Sequence, residues 1–402
     1  METSHDARLG RRSLLAGPGL VIATLFIGRT ALDMEHNMIY IFFPTFAKEF
    51  QVQLWQTGLL VTVYSAVNLA SPIFGRISDR IGRKIMMILG LGVFCVAETL
   101  FVLAADWTLI LSGRTLVGLS SAIFTPSQSA YLGDQFEYSK RARIMGLVRL
   151  AFPISGVLAP VFAGYSIEKL SWRIPFATMD VIALFAIVLL TLKLPEGSTK
   201  GAEAYQNQSL PSFKEVVTNP RVTPCLIASF LAIWSIEGFW IFMTPWMKDV
   251  FSLGETVIGV IFSLSSVASV MGTLLASWYA DRAGKRRSTW TGLIVSAFLM
   301  MAVPNLGHQL SLAVLAFILL GVTFDFAMTA WLPLLTELVP EARGTMMALN
   351  SAATSLGAAS GAFVNGFVWT ALGYPSVGFI CFIATTISGF IISYKVSERI
   401  QL

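Results

Sequence analysis

The sequence predicts an all-α membrane protein of twelve transmembrane helices, arranged as two pseudo-symmetric six-helix bundles. Three observations predict it. Of the 402 residues, 55% are hydrophobic and 13% charged, against about 25% charged in a soluble domain, and the mean hydropathy is +0.71. Apolar runs of about 20 residues, long enough to cross a hydrocarbon core of about 30 Å, recur from end to end. The second half repeats landmarks of the first at one offset.

In chain order the apolar runs predict spans over 14–44, 57–75, 85–104, 107–131, 142–167, 174–193, 222–247, 256–279, 288–303, 310–336, 344–368 and 375–394. The first begins after Arg11-Arg12-Ser13-Leu14-Leu15, which resembles a twin-arginine export signal. The apolar run nevertheless continues to Pro44 without an Ala-x-Ala-like cleavage site, so it reads as an uncleaved span. Cys95, Cys225 and Cys381 lie singly inside apolar runs. That spacing predicts neither disulfide nor metal site, and no cofactor is expected.

Orientation follows from the basic residues. With the N-terminus inside, twenty-one of the 28 Lys and Arg fall in cytoplasmic segments. Four (Lys48, Lys169, Arg173 and Lys248) fall outside, and Arg29, Arg114 and Arg149 lie within helices. The positive-inside rule then places both termini in the cytoplasm. The net charge of +5 is a product of this topology, and no nucleic-acid partner is expected. The one long polar stretch divides the chain into bundles at 1–194 and 222–402, with 195–221 as a cytoplasmic linker. At an offset of about 202 residues, Pro44 and Phe50 correspond to Pro245 and Phe251, Gly58 to Gly259, and Asp79-Arg80 to Asp281-Arg282. Gly118, Asp134 and Met145 recur as Gly321, Glu337 and Met347.

Between spans 2 and 3 stands Gly75-Arg76-Ile77-Ser78-Asp79-Arg80-Ile81-Gly82-Arg83-Lys84, with a degenerate copy at Ser277-x-x-x-Asp281-Arg282-Ala283-Gly284-Lys285-Arg286. The first resembles the signature loop of the major facilitator superfamily. Ser277 departs from the glycine of that pattern. The resemblance implies that Asp79 caps helix 11 and that Arg80 or Arg83 reaches Asp134, forming a cytoplasmic gate with Gly75, Gly82, Asp281 and Arg282. Arg114-x-x-x-Gly118 and Gly156-x-x-x-Pro160-x-x-x-Gly164 resemble motifs of the drug:proton antiporter branch, although Val117, Ala159 and Ala163 depart from them. Small-residue stripes at Gly156, Pro160, Gly164, Gly272, Gly357 and Gly361 suit close helix seams. In the family such seams join helices 5 and 8, and 2 and 11.

Ionisable residues inside spans cost at least about 2.5–3.5 kcal/mol on insertion scales, so each needs a reason. At about 100° per residue, Arg29, Asp33, His36, Asn37 and Tyr40 share one face of the first span, and Glu35 points elsewhere. A polar stripe of this kind lines a wet cavity. The resemblance makes helices 1, 4, 7 and 10 the cavity helices, and these carry Arg114, Glu237 and Asp325 as well, with Trp234, Trp240 and Trp331. Asp33, Glu237 and Asp325 are the proton-carrier candidates, Asp33 first. Arg29, His36, Asn37, Tyr40, Arg114 and the three tryptophans are the candidates for solute contact. Glu98, Asp180 and Arg149, off these helices, are expected to be structural, and Glu35→Gln is expected to be mild.

These features predict a secondary transporter of a small organic or amphipathic solute, working by proton-coupled efflux through alternating access. It would sit as a monomer in a lipid bilayer, a bacterial inner membrane by expectation. The alternatives are a symporter or facilitator of a polar metabolite or organic anion, held by Arg29 and Arg114, and a non-transporting receptor of the same fold. No nucleotide loop, triad or zinc spacing points to an enzyme.

Overall fold

A computed structural model describes residues 18–195, 220–338 and 343–396. The N-terminal basic flank, nearly all of the 195–221 linker and the chain's last residues lie outside it, as does the side chain of Asp281. Among the described residues the regular structure is helical throughout.

The first predicted span is α1 (Pro18–Met38), a 3-10 turn (Ile39–Phe42) and α2 (Phe43–Glu49). Pro44 opens α2, where its missing N–H costs nothing. The second is α3 (Leu54–Thr57), α4 (Leu59–Asn68) and α5 (Ser71–Ile81), bent by 45° just before Pro72. Then follow α6 (Arg83–Val102), α7 (Trp107–Gln135), α8 (Tyr138–Arg149), α9 (Ala151–Lys169) and α10 (Ile174–Lys193). The second half gives α11 (Val222–Phe251), α12 (Glu255–Ala283), α13 (Lys285–Ala302), α14 (Leu310–Leu338), α15 (Arg343–Leu372) and α16 (Tyr374–Lys395). Helix thus occupies all twelve predicted spans. By length and composition 8 helices among the described residues can cross a membrane, or 9 if the bent pair is one span. The other three are helical but more polar: α1 carries Arg29, Asp33 and Glu35, α13 opens with Lys285-Arg286-Arg287, and α15 is rich in Gly, Ser and Asn.

The chain forms two compact units. The first is Met1–Asn37, Ala70–Ser155 and Arg173–Gln208. Its spine is α6 along α7. A Cβ on Gly90 would stand 3.1 Å from the Phe124 backbone nitrogen, and one on Gly113 3.2 Å from the Ala97 carbonyl. Small residues let these backbones approach where lipid gives no hydrophobic drive to associate. On the other flank α10 packs against α6, with Phe101 and Phe176 stacked at 4.5 Å.

The second unit is Met38–Leu69, Gly156–Trp172 and Ser209–Leu402. Here α9 meets α12 through Gly164 against the Glu255 backbone and Gly259 against the Pro160 carbonyl. A Cβ on Gly58 of the second span would lie 2.8 Å from the Ala362 carbonyl of α15, and Thr62 Oγ1 donates to the Ala359 carbonyl at 2.9 Å. These are the 5–8 and 2–11 packings that the resemblance implies. Gly272 instead meets Val322 of α14, and Gly357 and Gly361 meet Phe230 and Trp234 of α11. At the end of α9, Glu168 accepts from the Thr256 N–H at 3.1 Å and the Thr256 hydroxyl at 2.8 Å. It thereby caps the positive N-terminus of α12.

The sequence repeat extends to backbone and contact detail. Gly82 closes α5 at φ 109° and Gly284 closes α12 at φ 89°, a left-handed conformation that glycine takes without a Cβ clash. Arg83 Nε meets Asp134 at 3.3 Å, and Lys285 meets Glu337 at 2.7 Å. Lys84 Nζ donates to the Leu194 carbonyl at 2.6 Å, and Arg286 donates to the Val396 carbonyl at 3.1 Å. In each unit a cation thus closes the carboxyl end of that half's last span, the sign that a helix C-terminus favours.

Candidate functional site

In the first unit the polar face of α1 is held by α7. Arg29 Nε donates to Asp33 Oδ2 at 2.9 Å, and its Nη1 donates to Thr125 Oγ1 at 3.0 Å. Gln128 Nε2 donates to the Leu25 carbonyl at 2.8 Å. Asn37 Nδ2 donates to the Asp33 carbonyl at 2.7 Å, so it serves the helix backbone. Arg29 retains 25% side-chain exposure and Asp33 5%, so the arginine is part-exposed and the carboxylate buried. His36 lies against Phe152, with ring centroids 6.3 Å apart.

The deeper charge pair is Arg114 with Glu35. The Arg114 guanidinium donates to both Glu35 oxygens, and both side chains are 0% exposed. The wheel turns Glu35 away from the cavity face and makes its loss mild; in the structure it is instead the counter-ion of Arg114, the one fully buried arginine among the described residues. A helix enclosed by others has polar partners on more than one face. Removing one member of a fully buried pair strands the other, which is among the costliest changes available.

The gate residues also have placed partners. Arg83 bridges Asp79 and Asp134 and reaches Ser78 Oγ at 3.3 Å, so the cation on Asp134 is Arg83 and Arg80 stays exposed. A Cβ on Gly75 would make only an ordinary 3.8 Å contact with Pro126. Arg282 lies over the Trp278 ring, 4.5 Å from its centroid.

In the second unit Tyr40 donates its hydroxyl to Glu237 Oε2 at 2.9 Å. Asp325, half-buried on α14, faces the Ser269 hydroxyl of α12. Trp240 packs between Phe262 and Phe317, at 5.2 and 5.0 Å. Trp331 is 3% exposed and donates to Ser229 Oγ at 2.8 Å, so it joins α14 to α11 as packing. Trp234 offers its backbone to Gly361. An open, mainly apolar groove is lined by Met328, Thr329, Leu332, Pro333, Thr336 and Met347.

Comparison with known proteins agrees with this architecture. The sequence profile described as Major Facilitator Superfamily matches residues 25–243 and again 225–399. The chain belongs to that superfamily of membrane transporters and is a multi-pass integral membrane protein. It is 26% identical over 380 residues to the MFS-type transporter YwfA of Bacillus subtilis, covering 94% of this chain and 92% of that one. With multidrug resistance protein 2 of the same bacterium it shares 27% over 335 residues, 81% of this chain and 83% of the other. A bacterial homologue of the human lysosomal transporter Spinster, solved inward-facing and unoccupied, superposes with a TM-score of 0.77 at 15% identity. That superposition covers 95% of this chain and 96% of the other.

Proposed function

We propose that the protein is a secondary active transporter that expels a small organic or amphipathic solute in exchange for protons, by alternating access of two six-helix bundles. Transport, with no catalytic reaction, is its role; it works as a monomer in a bacterial inner membrane with both termini in the cytoplasm. The observation that carries this reading is the paired state of Arg29 and Arg114, the arginines of the predicted cavity helices. Arg29 is occupied by Asp33 and Arg114 by Glu35, so neither stands ready for an anionic solute. Spans 222–247 and 310–336 contain no Lys or Arg, yet hold Glu237 and Asp325. Acids on spans without basic residues, with Tyr40 on Glu237, suit a cationic or amphipathic solute better than an organic anion. The multidrug relatives point the same way.

Asp33 is the proposed proton carrier, with Glu237 and Asp325 as the alternatives. A carboxylate that alternates between a wet and a dry surrounding binds and releases a proton as those surroundings change, and one pKa unit corresponds to about 1.4 kcal/mol. The test is reconstitution into liposomes with an imposed pH gradient, screened against cationic, neutral and anionic solutes. A cationic amphipathic solute moved by the gradient supports the reading; flux indifferent to pH overturns it. For orientation, a cysteine placed at Ser198 or Gln206 should label only from the inside of sealed right-side-out vesicles.

A further inference from the structure

Glu98 sits on α6, which packs along α7. It is 0% exposed, and neither carboxylate oxygen has a hydrogen-bond partner among the described residues. Its helix neighbours Phe94, Ala97 and Phe101 are fully buried as well. A bare, ionised carboxylate in such a place is prohibitive; buried charges are paired or neutralised.

The charged groups around it come from three helices. A Cβ on Gly113 of α7 would stand 3.2 Å from the Ala97 carbonyl, which sets Arg114 beside the Glu98 turn of α6, and Glu35 of α1, Arg114 and the half-buried Asp180 of α10 lie within electrostatic reach of Glu98. On its own helix Cys95 lies within electrostatic reach of Glu98, and Thr99 Oγ1 donates to Asp180 at 3.3 Å. His36 lies on the far side, within reach of Arg114. Arg173, just before α10, is spent on the Val102 and Ala104 carbonyls at 3.1 and 3.0 Å. The charges of α5 stand at the other end of α6, beyond Arg83, about 22 Å of helix rise from Glu98. Two buried carboxyls therefore share one buried cation. With both ionised, the three groups would carry an uncompensated negative charge in a dry interior; with one proton among them they are neutral.

We propose that Glu98 is a second, solvent-shielded proton site that exchanges its proton with Glu35 across Arg114. In the arrangement seen here Glu98 holds the proton and Glu35 is the carboxylate bound to Arg114. In the other arrangement the proton has left Glu98 for Glu35, and the guanidinium has passed from Glu35 to Glu98. The sum of charges is zero in both, so the switch needs no counter-ion. Its consequence is mechanical. Arg114 on α7 is tied to α1 in the first state and to α6 in the second, which links the position of one proton to the packing of a cavity helix. The role in transport rests on the proton-coupled reading above; the exchange itself does not.

The test is infrared spectroscopy of the full-length protein in lipid nanodiscs at neutral pH, reading the carbonyl stretch of protonated carboxylic acids. Wild type should show such a band, and Glu98→Gln should lose one component of it. Glu35→Gln should lose the same component although Glu98 is still present, because Arg114 then draws Glu98 into its ionised form. Should Glu98→Gln fail to fold, Glu98→Asp serves: the component then shifts in frequency and keeps its intensity. An unchanged band in Glu98→Gln or Glu98→Asp overturns the proton site, and a component that persists in Glu35→Gln overturns the exchange. Absence of pH-driven flux with the band lost in both variants would sink the proton-coupled reading and leave the exchange standing.

Discussion

In the first compact unit, charge meets charge: Arg114 on Glu35 with neither exposed, Arg29 on Asp33, and Glu98 beside the deeper pair. In the second, Glu237 and Asp325 meet the hydroxyls of Tyr40 and Ser269, beside Trp240 and its phenylalanine neighbours. Both units end their spans alike, with a left-handed glycine, a basic residue on an acidic one, and a cation on the carbonyl of the last helix. The repeat has therefore kept the parts that fix helix ends and has let the interior diverge. One interior sets charge against charge, the other sets acids against hydroxyls beside aromatic surface.

The largest effect that would break this contrast is on stability. Arg114→Gln strands a buried carboxylate and should cost about 3–5 kcal/mol. Glu237→Gln keeps an oxygen that accepts from the Tyr40 hydroxyl, so it only turns a charge-assisted hydrogen bond into a neutral one and should cost about 0.5–1.5 kcal/mol. Thermal unfolding in detergent should therefore rank Arg114→Gln well below Glu237→Gln; equal midpoints would erase the distinction between the two interiors.

Next is the signature loop. Arg83 bridges two acids in the first copy, and an anion at a helix N-terminus of the kind the family resemblance gives Asp79 is worth about 0.3–1 kcal/mol, up to about 2 when partly buried. Asp79→Asn should depress turnover sharply and raise labelling from the cytoplasmic side, with the protein still inserted. Lys285→Met in the second copy should do so less. Normal turnover in Asp79→Asn would reduce the motif to a topology anchor.

A smaller effect is expected at the solute end. Tyr40→Phe frees the Glu237 carboxylate from its hydroxyl, and a lost hydrogen bond to a charged group is worth about 1.5–3 kcal/mol at most. The KM of a cationic solute should change while the dependence of rate on the pH gradient stays as in wild type. A changed pH dependence would move proton chemistry into the second unit.

Much of this was legible in the sequence. The helical stretches and the repeat follow from composition and offset, which are local or periodic signals, and the family resemblance narrowed the partner of Asp134 to Arg80 or Arg83, of which the structure shows Arg83. The Glu35–Arg114 pair was not. Its members are 79 residues apart, and a helical wheel gives a direction but not what stands there. Glu98 was visible as a carboxylate inside an apolar run, yet only the packing of α6 against α7 and α10 shows that it shares a cation. The stripe on α15 was legible as close packing; that it meets α11 at Phe230 and Trp234 depends on the tertiary arrangement of helices.

The most direct test of the account is transport by Asp33→Asn in liposomes where a pH difference is the sole driving force. Asp33 pairs with Arg29 in the first unit, and asparagine keeps its shape while removing the group proposed to take up a proton. The account predicts that Asp33→Asn loses accumulation of solute against its gradient and keeps solute exchange or binding. An Asp33→Asn protein that still concentrates the solute under a pH difference alone would contradict it.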